Sequence, residues 1–467
     1  MRLLYSETIK NLPLPWKETL LPAIREAFAR ANSTLIVMDD DPTGCQTVHD
    51  IPILTAWPVE ALSAEFERSP VFFILTNSRS LPAREAIELN REVARNIAEA
   101  ASSAGRRFMV ISRSDSTLRG HFRAEIETLK AEFGWQKAVT LCIPAFFEGG
   151  RFTIDDVHYV KEGDVLVPAA ETPYAKDPSF GFASSNLKDY IREKMGGAVA
   201  REDVCSVTLE DIRRGGPEAV AEKLQGCDDG SFCVVNACER SDMDVVALAV
   251  FRAMERGKRF LFRTAAAIIP ALVGLTARPL LAAREFPPTQ SGCGLIVVGS
   301  FVPMSSRQLA HLLKHGGVRG VELDVRRLLS GEGKIEIERV MNVANRSVGA
   351  RCDTVIYTSR ELVKGATAEE SIRIQADVAA ALIGIVRGIN AAPRYVLAKG
   401  GITSHDIAAK ALGVQRALVM GQIIPGVPVW RLGEGSRFPG MSYIVFPGNV
   451  GTETSMTDVV RALKTGA

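Results

Sequence analysis

The sequence predicts an α/β protein of two domains, each built on a largely parallel β-sheet flanked by helices. Two observations predict it. Short apolar runs recur without polar alternation and end in turns rich in Asp, Gly or small polar residues: TLIVMDDD, VFFILTNS, RFMVISRSD, AVTLCIPAF, SFCVVNA, GLIVVGS, DTVIYTS, YVLAKGG and YIVFPGN. Runs of this kind suit strands buried on both faces. Longer amphipathic stretches separate them, at Ala83 to Ala101, Ala124 to Phe133, Pro217 to Leu224, Asp244 to Arg256 and Ala368 to Ile389. Strands alternating with helices of this length form parallel sheets covered by helices.

The chain length of 467 residues accommodates two such domains. A Pro- and Gly-rich segment, EFPPTQSGCG, precedes the fresh strand GLIVVGS, so the division is expected between residues 1–285 and 288–467. The region from Glu148 to Asn186 has little periodic pattern and reads as an extended excursion of the first domain. Hydrophobic residues make up 46% and charged residues 24%, ample for packed cores. A formal net charge of +2 gives no global argument for a nucleic acid or an anionic membrane as partner. The N-terminus lacks a secretory pattern and no stretch approaches the roughly 20 apolar residues of a membrane-spanning helix. A cytoplasmic protein is expected. The eight cysteines form no Cys-x-x-Cys pair and the six histidines do not cluster with them, which disfavours a disulfide framework and a zinc site.

The polar motifs share one position, directly after a predicted strand. In open α/β sheets, ligands bind beyond the carboxyl ends of the strands. Asp39-Asp40-Asp41-Pro42-Thr43-Gly44 places three carboxylates together, which repel unless a cation or hydrogen-bond donors compensate. It reads either as a binding turn or as a solvated acidic cap. Thr76-Asn77-Ser78-Arg79-Ser80 suits recognition of hydroxyls and a carboxylate, with Ser80 available as a helix cap. Arg113-Ser114-Asp115-Ser116-Thr117-Leu118-Arg119-Gly120-His121 packs more hydrogen-bonding groups than a cap needs. It suits a polyhydroxy acid, with Asp115 as a candidate general base. The loop from Glu148 to Ile154, with His158, Tyr159 and Tyr174, reads as a lid or as a plain connection. In the second half, Gly299-Ser300, Lys399-Gly400-Gly401-Ile402-Thr403 and Phe446-Pro447-Gly448-Asn449-Val450-Gly451 are Gly-rich turns that let backbone N–H groups approach phosphate oxygens. None matches the Walker pattern or the dinucleotide fingerprint.

The runs DDDPTGCQTVHDIPIL, SRSDSTLRGHF, PAFFEGGRFTIDDVHYV, AKGGITSHDIAAKALGV and FPGNVG resemble the four-carbon acid sugar kinase family, long catalogued as a domain of unknown function. The likeness runs from about Leu35 to Val460. The first motif reads DDPTGCQTV where better-studied members carry a DDFTGA-like sequence, the mark of a separate branch. The resemblance implies an N-terminal substrate domain, a C-terminal nucleotide domain and an active site in the cleft between them. It implies ATP-dependent phosphorylation of threonate, erythronate or 3-oxo-tetronates. By motif match the substrate side comprises Asp40, Asp41, Asn77, Arg79, Arg113, Asp115, Ser116 and Arg119. The nucleotide side comprises Ser300, Thr358, Gly400, Gly401, Thr403, Gly448 and Gly451. Within this reading Asp41 or Asp115 orients or deprotonates the hydroxyl and Arg113 or Arg119 holds the carboxylate or the migrating phosphoryl group. Mg2+ bridges the phosphates; its ligands are left open, with Asp residues acting through water as one arrangement. Two alternatives stand beside it: a non-catalytic sugar-acid or nucleotide sensor, and an NAD-dependent sugar-acid dehydrogenase. A homodimer is expected only on the general habit of soluble enzymes.

Overall fold

A computed structural model of the chain describes residues 1–286, 292–361, 363 and 365–464. It comprises two compact units: Met1–Val48 with Trp57–Ala277, and His49–Ala56 with the chain from Arg278 onward.

The first unit is built on seven parallel strands. Their spatial order is Val204–Val207, Phe232–Val235, Val139–Ile143, Phe260–Thr264, Arg107–Arg113, Ser33–Asp39 and Val71–Leu75. Five of the apolar runs supply strands here, and the side chains of Val71–Leu75 and Val139–Ile143 are buried throughout. Burial on both faces removes the polar alternation a half-exposed strand would show. The amphipathic stretches supply helices, among them Ala83–Ser103, Phe122–Glu132, Gly216–Gln225 and Arg240–Glu255. The strand Ser33–Asp39 lies between Val71–Leu75 and Arg107–Arg113. The chain leaves it first toward one side and then returns to the other, so its carboxyl end is a topological switch point.

The excursion from Glu148 carries a small antiparallel sheet in the order Leu3–Leu4, Val165–Pro168, Val157–Glu162 and Arg151–Ile154. Phe152, Ile154, Tyr159 and Leu166 form its own apolar cluster. Strands of four to six residues here pair with each other and with the N-terminus, so the region is an ordered sheet rather than a bare loop.

The second unit carries five parallel strands, in the order Ser442–Phe446, Tyr395–Lys399, Gly294–Val298, Thr354–Thr358 and Arg319–Leu323. An antiparallel extension continues through Val427–Leu432 and Arg416–Ile424 to Ile51–Leu54. The fully buried IPIL strand pairs with residues 416–419, which is why residues 49–56 belong to this unit. A single cut near residue 285 does not contain that discontinuity. Residues 287–291 of the expected linker lie outside the described residues. Ile296, Val298, Leu397, Val429, Ile444 and Val459 centre the core.

Candidate functional site

In the first unit, three turns meet at the carboxyl ends of the switch-point strands. Backbone hydrogen bonds tie them together: Thr76 N–H to Asp39 O at 2.9 Å, Asp40 N–H to Arg113 O at 3.2 Å and Arg79 N–H to Asp40 O at 3.4 Å. Asn77 takes a left-handed conformation at φ 52°, which turns the chain sharply after its strand. Its Nδ2 donates to Ser80 Oγ at 3.0 Å. Ser80 does not cap the following helix, whose N-cap position falls to Pro82.

The charged side chains form two layers. Underneath, Arg113 Nη1 donates to Asp39 Oδ1 at 2.9 Å, and Ser114 Oγ donates to Asp40 Oδ2 at 2.7 Å. Arg263, from the strand Phe260–Thr264, donates to Ser112 Oγ at 2.7 Å and Ser114 Oγ at 2.9 Å and pairs with Glu125. Ser78 Oγ donates to Glu125 Oε1 at 2.8 Å, so the network closes on all three turns. Above it, Arg79 bridges Asp41 and Asp115, with Nη1 3.4 Å from Asp115 Oδ1. Arg119 Nε donates to Asp115 Oδ2 at 2.7 Å.

Accessibility separates the layers. Side-chain exposure is 17% for Arg79, 19% for Asp41, 15% for Asp115 and 30% for Arg119, against 0% for Asp39, 2% for Asp40 and 6% for Arg113. Arg113 therefore acts on the carboxylates beneath, while Arg79 and Arg119 face outward. Electrostatics divide in the same way. Burial pushes the Asp39 carboxyl up to about 7 against the opposing pull of Arg113, and burial also raises Asp40. Burial opposes ionisation of Asp41 and Asp115 too. There the guanidiniums win: Arg79 and Arg113 lower Asp41, and Arg79 with Arg119 holds Asp115 well below the usual carboxylate range.

Ser116 contributes its backbone, since its carbonyl accepts from His158 Nε2 at 2.8 Å. Burial drives the His158 imidazole down to about 4, so this ring is a neutral strut between the excursion and the site loop. Tyr174, from the segment read as a lid, has the Arg119 guanidinium 5.1 Å and the Arg151 guanidinium 5.9 Å from its ring centre.

In the second unit, four turns follow parallel strands. Ser305 Oγ donates to Gly448 O at 3.1 Å and lies 3.0 Å from Ser300 Oγ, within hydrogen-bond reach. A Cβ on Gly400, at φ 109°, would stand 2.9 Å from Ser300 Cβ, and one on Gly448 would stand 3.3 Å from Ser300 Oγ. One on Gly299 would collide with Thr403 Oγ1. Ser300, Gly400, Thr403 and Gly448 thus converge on one cradle that side chains on the glycines would close. Gly401 begins the short helix Gly401–Asp406. Gly451 packs against Ser455, and Gln308 Nε2 steadies this loop by donating to Val450 O and Thr452 O at 3.0 and 2.7 Å. Thr358 is fully buried behind Arg360, whose Nη2 lies 3.5 Å from Thr358 Oγ1.

Three charged residues of these sites escape motif reading, Glu125, Arg263 and Arg360, and Lys399 stands in its turn motif without an assigned role. Arg263 and Lys399 each carry a signal, a lone cation in an otherwise apolar strand, FLFRT and YVLAK. Arg360 donates to Ser300 O at 3.0 Å, and its buried Nε and Nη1 have no acceptor among the described residues. Orphaned guanidinium donors beside a glycine cradle fit an anionic ligand. Among the described residues, no three His, Cys, Asp or Glu side chains converge to hold a metal ion. No described helix is long and apolar enough to cross a membrane.

Residues 35–272 match the sugar-binding N-terminal domain, and residues 295–456 the nucleotide-binding C-terminal domain, of the four-carbon acid sugar kinases. The chain belongs to this family. It is 24% identical over 397 residues to a D-threonate kinase from Bordetella bronchiseptica, covering 85% of this chain and 87% of that one. A Haemophilus influenzae protein structure matches with a TM-score of 0.63 at 20% identity, over 92% of this chain and 99% of its own. A Salmonella typhimurium structure, described as a candidate tRNA synthase, matches with a TM-score of 0.66 at 17% identity, over 91% and 98%. These two structures establish the fold alone.

Proposed function

We propose that the protein transfers the γ-phosphoryl group of ATP to a hydroxyl of a four-carbon sugar acid such as threonate, erythronate or a 3-oxo-tetronate. The observation that carries this reading is the pairing of two chemistries in one chain. One unit has an accessible Asp–Arg constellation at its switch point, and the other has a glycine cradle flanked by donors that have no acceptor among the described residues. Family membership and the D-threonate kinase relative support it.

The residues divide the work as follows. Arg119 and Arg79 face outward and take the substrate carboxylate, Arg119 being backed by Tyr174. Asp41 and Asp115, held ionised by those guanidiniums, accept hydrogen bonds from the substrate hydroxyls and orient the attacking one. So low a proton affinity suits an orienting acceptor better than a strong base. A loose phosphoryl-transfer transition state asks for no more, because its proton moves late. Asp40, Ser116 and Asn77 complete the substrate side as supports. Arg113 acts through Asp39 and Asp40. In the cradle, backbone N–H groups at Gly401, Gly448 and Gly451, hydroxyls of Ser300 and Thr403, and the remaining donors of Arg360 serve the phosphate chain; Gly400, whose N–H is held by Phe446 O at 2.8 Å, shapes the turn, and the buried Thr358 stands behind Arg360. Phe301 and Ile402 are exposed apolar side chains next to Ser300 and Gly401, and offer a face to the adenine. Mg2+ neutralises phosphate charge when it arrives with the nucleotide. The carboxylates of the first unit are engaged by guanidiniums and hydroxyls.

The test is turnover of Asp41→Asn and Asp115→Asn. Each should lose about 10²- to 10⁴-fold in kcat with ATP affinity unchanged. Turnover near wild type in both variants would remove these residues from the mechanism.

A further inference from the structure

Lys399 closes the strand Tyr395–Lys399 and is fully buried. Its Nζ donates to Pro447 O at 2.6 Å and lies 4.0 Å from the centre of the Phe446 ring. No carboxylate pairs with it among the described residues. The neighbouring strand Gly294–Val298 carries no ionisable side chain, and on Ser442–Phe446 the ionisable group is Tyr443, whose hydroxyl donates to Ser404 O at 2.6 Å. On the segment after Gly400, Asp406 is taken by Lys410 at 2.7 Å and His405 has its own partner. The turns 299–302 and 447–451 hold no ionisable residue, and Arg360, on Ser300 O, adds positive charge. A buried ammonium without a counter-charge is costly unless a ligand supplies one.

The clamp on Pro447 has a geometric consequence. The Pro447–Gly448 peptide is trans, so a carbonyl turned toward Lys399 turns the Gly448 N–H the opposite way. That N–H has no protein acceptor among the described residues. We propose that Lys399 is the positioning residue of the nucleotide subsite: its hold on the Pro447 carbonyl aims the Gly448 N–H at the phosphate chain, and its ammonium is the buried counter-charge of that chain. The inference rests on the nucleotide reading above and adds a residue and a proton to it. Burial brings the free Lys399 amine down to about 7. Above that pH the empty subsite holds a neutral amine, and an arriving polyanion restores the ammonium by drawing one proton from solvent. Nucleotide binding is then coupled to proton uptake.

The experiment is calorimetric titration of Mg·ATP into the whole protein at pH 7, 8 and 9. Two buffers of different ionisation enthalpy are used, with wild type, Lys399→Met and Lys399→Arg compared. Sugar-acid binding to the same samples reports the state of the fold. The wild type should take up close to one proton at pH 8, and its affinity should fall about ten-fold between pH 8 and 9. Lys399→Met should take up none and bind at least about ten-fold more weakly at pH 7. Lys399→Arg keeps a permanent charge, so it should bind without proton uptake and with affinity flat across this range. If Lys399→Met fails to fold, the wild type and Lys399→Arg decide the question. Binding by wild type without proton uptake, or uptake that persists in Lys399→Arg, overturns the inference and leaves the nucleotide reading intact. Absence of Mg·ATP binding by wild type overturns that reading and the inference with it.

Discussion

Arg79 is the residue on which the upper layer of the substrate site turns, and its coupling to Asp115 can be measured. The pair stands 3.4 Å apart, with 17% and 15% of the two side chains exposed. At an effective dielectric constant near 20, that separation gives about 5 kcal/mol as a ceiling. Two facts lower it: Arg119 also binds Asp115, at 2.7 Å, and Asp41 shares the Arg79 guanidinium. A double-mutant cycle of Arg79→Met, Asp115→Asn and the pair should therefore return a coupling of about 1–3 kcal/mol at pH 7. Arg79→Met alone should cost about 3–5 kcal/mol, because it strands Asp40, Asp41 and Asp115 without their common cation. The pH dependence follows in sign. The folded Asp115 value is depressed, so its contribution is present above the unfolded value of 3.8 and is lost as pH falls through the folded one. The gap between wild type and Arg79→Met should accordingly narrow below about pH 4. Urea unfolding at pH 7 and at acid pH is the assay. Effects additive within about 0.5 kcal/mol at pH 7 would refute the bridge.

Two further substitutions separate the subsites. Gly400→Ala forces a Cβ to 2.9 Å from Ser300 at a backbone angle that side chains avoid; it should cost about 1–3 kcal/mol of stability. It should also weaken Mg·ATP binding by at least about ten-fold with sugar-acid binding unchanged, read by equilibrium titration of each ligand. Arg263→Lys keeps the charge beside Glu125 but loses the fork that spans Ser112 and Ser114. Its kcat/KM for the sugar acid should drop about ten-fold or more while ATP affinity holds.

Most of the sheet framework was legible because burial on both faces writes itself into sequence as unbroken apolar runs. All nine quoted runs became strands, and five helices appeared where amphipathic stretches stood. What escaped did so for physical reasons. Arg319–Leu323 is an edge strand with three exposed residues of five, so RGVEL lacks an apolar run. Phe260–Thr264 was hidden by Arg263, whose charge is satisfied by Ser112, Ser114 and Glu125, partners brought from two other elements. Ile51–Leu54 is a buried run, but its partner at residues 416–419 lies some 360 positions away in the chain, beyond any local pattern. In the first unit, the turn motifs contain the accessible Arg79, Asp41, Asp115 and Arg119, because polar groups concentrate where buried strands end. Their division into an outer layer of Arg79, Asp41, Asp115 and Arg119 and an inner layer of Asp39, Asp40 and Arg113 depends on side-chain direction, which spacing does not encode. Lys399, in its turn motif, and Arg360 carry no role in the sequence for a related reason: such a cation acquires meaning only when its surroundings are known, for Lys399 that no carboxylate pairs with it and for Arg360 that Nε and Nη1 find no acceptor among the described residues.

The most direct measurement is ATP consumption by the purified protein with Mg2+, against a panel of threonate, erythronate and their 3-oxo forms, with the product followed by phosphorus NMR. Sugar-acid-dependent turnover yielding a phosphate monoester with one member of the panel is the predicted result. Silence across the panel with Mg·ATP binding intact would contradict the four-carbon acceptor, and silence with no nucleotide binding would contradict the kinase itself.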